Sequence, residues 1–71
     1  MDSDTLIRMA NQIASFYEPY SDSEAEDGIV THIQKFWEPR MRDGLYATYR
    51  TSPDAFKPRV SAAIARLLTE A

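Results

Sequence analysis

A chain of 71 residues with a formal charge of −3 and no cysteine makes one domain, spanning 1–71, near the lower limit at which a core supports itself. Scaled per residue, its stability is only about 4–11 kcal/mol. Without cysteine there is no disulfide or thiolate metal site. The acidic start Met1-Asp2-Ser3-Asp4 is unlike a secretory signal, and no apolar run approaches the roughly 20 residues of a membrane span. A soluble, cytoplasmic domain is expected.

The charge is unevenly placed. Residues 1–27 hold seven carboxylates against Arg8 alone, a balance of −6. Residues 28–71 hold seven cations against Glu38, Asp43, Asp54 and Glu70, a balance of +3. Such polarity either steers a partner or closes pairs within the chain.

Leu6, Met9, Ala10, Ile13 and Phe16 recur at helical spacing, with Tyr17 beside the last. Ser3 or Asp4 is suited to cap the start, and Pro19 ends the element, which places a first helix at about 4–17. The connector Glu18-Pro19-Tyr20-Ser21-Asp22-Ser23 is turn-rich and acidic. Ser23 with Glu26 and Ser21 with Glu24 both fit a capping box. A second helix follows over about 23–37, with Ile29, Val30, Ile33, Phe36 and Trp37 on its apolar face. Gly28 inside it costs about 1 kcal/mol relative to alanine, which either a close approach of the first helix or simple tolerance explains.

Pro39 stops the second helix and suits the first position of a third, over about 40–49, with Met41, Leu45 and Tyr49 on one side. Gly44 weakens that element. Thr51-Ser52-Pro53-Asp54 reads as a turn. Val60, Ala63, Ile64, Leu67 and Leu68 define a fourth helix at about 58–70, with Pro58 at its start. No strand alternation or repeat occurs. The expected architecture is a small all-α domain of three to four short helices.

Catalytic chemistry is sparse. His32 is the lone histidine, whereas a zinc site needs about three protein ligands. At helical spacing it neighbours Gly28, Ile29, Lys35 and Phe36, none of them an acid or a nucleophile. Glu24, Glu26 and Asp27 lack the ligand spacing of a calcium loop and sit where a helix start favours negative charge. Two glycines cannot make a phosphate-binding loop. No catalytic, cofactor or metal-ligating residue is assigned, and an enzyme is not expected.

The octad Lys35-Phe36-Trp37-Glu38-Pro39-Arg40-Met41-Arg42 is different. It gathers aromatics, methionine and arginines, the side chains enriched where proteins dock on one another. Adjacent helical residues lie about 100° apart, so Phe36 and Trp37 cannot both enter a core. One seals it while the other covers its rim or meets a partner. Most of the Trp37 ring is assigned to the core, with Arg40 and Arg42 reaching outward toward carboxylates. Asn11 and Gln12 interrupt the first helix, either as surface residues or as amides for a partner backbone.

Two of these segments together resemble a family. Met9-Ala10-Asn11-Gln12-Ile13 with Phe16-Tyr17, and Phe36-Trp37-Glu38-Pro39-Arg40-Met41-Arg42 with His32 and Lys35 upstream, are similar to the small delta subunit of soluble NAD-dependent formate dehydrogenases. Pro58-Arg59-Val60 with Ala63-Ile64 and Leu67 also fits that family's last helix. Tyr17, where the family suggests phenylalanine, is a departure that adds a hydroxyl. The resemblance implies a non-catalytic accessory subunit of a cytoplasmic bacterial complex that oxidises formate to carbon dioxide and reduces NAD. It assigns the bis-molybdopterin guanine dinucleotide molybdenum or tungsten centre and iron–sulfur clusters to the alpha subunit. FMN, further clusters and the NAD site fall to the beta and gamma subunits, and no cofactor falls to this chain. The implied task is to bind and stabilise the alpha subunit, or to help it mature as a dissociable chaperone. Asn11, Gln12, His32, Phe36, Trp37, Arg40 and Arg42 carry over as docking candidates.

The alternative is a small helical DNA-binding regulator that sets the basic stretch 35–59 against phosphates. The net charge of −3 and the acidic first half weigh against it, because phosphate neutralisation drives such binding. Neither nucleic acid nor membrane is therefore the expected partner.

Overall fold

Three prolines set the breaks between helices. In the computed structural model, which describes residues 2–70, the chain forms α1 (Ser3–Phe16), α2 (Asp22–Phe36), α3 (Pro39–Thr51) and α4 (Pro58–Glu70), with a 3-10 turn at Pro53–Ala55. Pro39 and Pro58 each occupy a first helical position, where the missing N–H would have had no partner. Pro53 opens the 3-10 turn just past α3. The described residues contain no strand, and the all-α class expected from periodicity is the one observed.

The boundaries differ from expectation where capping decides them. Asp2, not Ser3 or Asp4, caps α1, its Oδ1 accepting from the Thr5 backbone N–H at 2.8 Å. That bond holds the Asp2 carboxyl below its ordinary pKa. The cap is therefore in full force at neutral pH and is lost as acid protonates the carboxylate. Of the two capping boxes that fit α2, the chain uses Ser21 with Glu24. The Ser21 Oγ accepts from the Glu24 N–H at 3.2 Å, and the Ser21 N–H donates to Glu24 Oε1 at 3.3 Å. The third helix runs to Thr51, past the expected end at 49. Gly44 does not break it, because its bare Cα lets Leu6 of α1 press close: an added Cβ would stand 3.0 Å from Leu6 Cδ1.

The four helices enclose one core, with α2 packed most extensively on α4 and α1 on α3. Ile29, Ile33, Leu45, Val60 and Ile64 are its largest fully buried side chains. The α4 face appears as read, with Val60, Ala63, Ile64 and Leu67 buried and Leu68 partly so. On α1 the buried stripe is Leu6, Ala10, Ile13 and Ala14, with Tyr17 packed against it. Phe16 was expected on that stripe but lies on the order of 100° from its centre, at 100° per residue, and is 71% exposed. Ala14, Ala25 and Phe56 are also buried, without having been assigned to the core. Phe56 arrives through the turn after Ala55 and meets the Tyr49 ring at 5.9 Å.

A candidate docking surface

Both α1 and α2 end on a pair of adjacent aromatics, Phe16-Tyr17 and Phe36-Trp37. In each pair the phenylalanine is turned outward, 71% exposed, while its neighbour turns in. Trp37 is 5% exposed and belongs to the core cluster. Its position does not follow from the 100° step alone, because Trp37 has already left the helix. Its backbone is extended (φ −93°, ψ 126°), with its N–H still bonded to the Ile33 carbonyl at 3.1 Å. Pro39 holds the residue before it, Glu38, extended as well (φ −62°, ψ 154°), so the helix does not resume until Pro39 itself.

The two outward phenylalanines wall a pair of shallow, open grooves that share His32. One, of about 280 Å³, lies between α1 and α2 and is lined by Met9, Gln12, Ile13, Phe16, His32 and the Trp37 edge. The other, of about 410 Å³, runs over Gly28 between Tyr17 and Phe36, with Lys35 and Asp27 at its rim. The His32 ring stands 5.0 Å from Phe36 in a tilted stack. Tyr17 lies directly on Gly28: a Cβ there would come within 2.4 Å of the tyrosine ring. Of the two explanations for Gly28, the close approach of α1 is the one realised.

The connector between α1 and α2 is clamped from α4. Arg59 donates from Nη1 to the Tyr17 carbonyl (2.8 Å), from Nη2 to the Tyr20 carbonyl (3.0 Å), and from Nε to Asp22 Oδ1 (2.8 Å). The Tyr17 carbonyl also accepts from the Tyr20 N–H at 2.9 Å, so Arg59 adds a second donor there and holds the connector that follows Phe16 and Tyr17. Arg66 similarly ties α4 to α2 through Asp27, and pairs with Glu70 on its own helix. Those carboxylates hold the Arg66 guanidinium above its ordinary pKa.

Of the seven docking candidates, the fold gathers Gln12, His32, Phe36 and Trp37 on this face. Three lie elsewhere. The Asn11 side chain is engaged within the chain, its Nδ2 donating to the Ala55 carbonyl (3.1 Å) and its Oδ1 accepting from the Lys57 N–H (2.9 Å). That amide pins the turn between α3 and α4. Arg40 is exposed and borders a separate groove with Leu6, Glu38, Met41 and Gly44. Arg42 is half-buried, its Nε shielded from solvent and without a hydrogen-bond partner. Phe16 was missed as a surface residue. Phe16 and Tyr17, adjacent on a helix like Phe36 and Trp37, lie about 100° apart, so only one of them can enter the core.

No group of three or more histidine, acidic or cysteine side chains able to hold a metal occurs among the described residues. Fold and surface together define a small helical domain whose distinguishing exposed feature is an aromatic face, with no cleft of converging polar groups among the described residues. Residues 5–64 match the model of the NADH-dependent formate dehydrogenase delta subunit family, FdsD, and the chain belongs to that family. The matched span contains every residue of the aromatic face. No curated protein and no solved structure gives a significant match.

Proposed function

We propose that this chain is a non-catalytic accessory subunit of a bacterial, cytoplasmic NAD-dependent formate dehydrogenase. It docks on the catalytic alpha subunit through the face walled by Phe16 and Phe36, and stabilises that subunit or assists its maturation. The chemistry of formate oxidation and NAD reduction, and the cofactors it needs, belong to the alpha, beta and gamma subunits. The observation that carries the reading is the pair of phenylalanines, both 71% exposed, on one side of a domain of the delta-subunit family. Two large aromatics kept in water by so small a domain mark an interaction surface.

The duplex-binding alternative gains nothing from the geometry. Arg59, a main cation of the basic stretch, is turned onto backbone carbonyls and Asp22. Among the described residues no helix is long and apolar enough to cross a membrane.

An affinity-tagged chain expressed in its native host, recovered gently and analysed by mass spectrometry, tests the proposal. The formate dehydrogenase alpha subunit is expected to co-purify in near-stoichiometric amount. Its presence in the active, NAD-reducing fraction would mark a resident subunit, and its restriction to inactive alpha subunit a maturation factor. Recovery of the chain alone would contradict both.

A further inference from the structure

The charges around the aromatic face are not balanced. Asp27 and Lys35 border the same groove, but their situations differ. The Asp27 carboxylate is paired with Arg66. Asp22, at the start of α2, is paired with Arg59. Lys35 is exposed in the last turn of α2, where it offsets the negative end of the helix, and among the described residues no carboxylate lies within 4.0 Å of it. The one carboxylate that lines this groove is thus already engaged by a cation, whereas its ammonium is not. Covering an unpaired ammonium costs free energy unless the partner supplies an anion.

The shape adds to this. His32 divides the face into two lobes, with Phe16 and Phe36 as outer walls. Sites for small molecules bury roughly 70–90% of their ligand, whereas both lobes are shallow and open. Such lobes suit side chains projecting from a larger surface.

Resting on the docking role proposed above, we infer that the partner segment seated here presents two apolar side chains, one to each lobe. An aspartate or glutamate beside them faces Lys35. The apolar pair supplies affinity, and the carboxylate supplies orientation and speed of encounter.

The test uses formate dehydrogenase purified without this chain, with association and dissociation measured for the wild type and for Lys35→Glu, Lys35→Arg and Phe36→Ala at low and physiological salt. Lys35→Glu is expected to bind about tenfold or more weakly, chiefly through slower association, with Lys35→Arg within about twofold of wild type. The Lys35→Glu deficit should shrink as salt rises. Thermal melting controls for the fold, to which an exposed last-turn lysine contributes little. Lys35→Glu binding at wild-type strength or tighter, with Phe36→Ala impaired, would overturn the acidic partner and leave the docking face standing. Normal binding by Phe36→Ala as well would remove the face itself.

Discussion

Replacing Trp37 with alanine will cost the domain about 3–5 kcal/mol and lower its melting temperature by about 12 °C or more. The indole is 5% exposed and packs in the single core that all four helices share. Its removal leaves a cavity at the junction of α2 and α3, the point at which Pro39 has broken the chain direction. Against a total stability of about 4–11 kcal/mol, that loss brings the weaker end of the range to the edge of unfolding. Circular dichroism followed through a thermal melt measures it. Trp37→Phe, which keeps most of the ring volume, should fall by clearly less. An alanine variant that melts within a few degrees of wild type would mean that the indole is not a core side chain.

The second large effect is the reverse pattern. Phe16→Ala with Phe36→Ala is expected to leave the melting temperature nearly unchanged, because exposed side chains contribute within about ±0.5 kcal/mol. Binding to the formate dehydrogenase alpha subunit should weaken by about 2 kcal/mol or more, about 30-fold in Kd. Phe36 also stacks on His32, so its loss frees the imidazole that both lobes share. The two aromatic pairs thus divide the labour. Trp37 and Tyr17 serve the fold, and the phenylalanine beside each serves the surface. Measured on the same samples by melting and by binding, the two sets of variants should separate cleanly.

That division was half visible in the sequence. The prolines at 39 and 58 and the spacing on α4 fixed those elements to within a residue or two, because proline chemistry and helical period are local. The capping of α2 was narrowed to two candidates, and only the packed chain selected Ser21 over Ser23. What could not be read locally was made by contacts distant in sequence. Asn11 reaches the backbone at residues 55 and 57, and Arg59 reaches back to Tyr17, Tyr20 and Asp22. Nothing within a helical window announces such partners. Phe56 entered the core for the same reason, delivered by a turn that periodicity does not describe. The octad at 35–42 was recognised as unusual, but it divides among three destinations: Trp37 to the core, Phe36 and Lys35 to the aromatic face, and Arg40 to another groove.

Cross-linking from position 36 in the assembled enzyme tests docking through the aromatic face. A photo-activatable phenylalanine analogue replacing Phe36, which is exposed and should not disturb the fold, is introduced in the native host alongside a control analogue at Ala62 on the exposed side of α4. After irradiation, position 36 should yield a covalent adduct with the formate dehydrogenase alpha subunit, and position 62 should yield little. Adducts from position 62 with none from position 36, or adducts from neither, would contradict docking through this face.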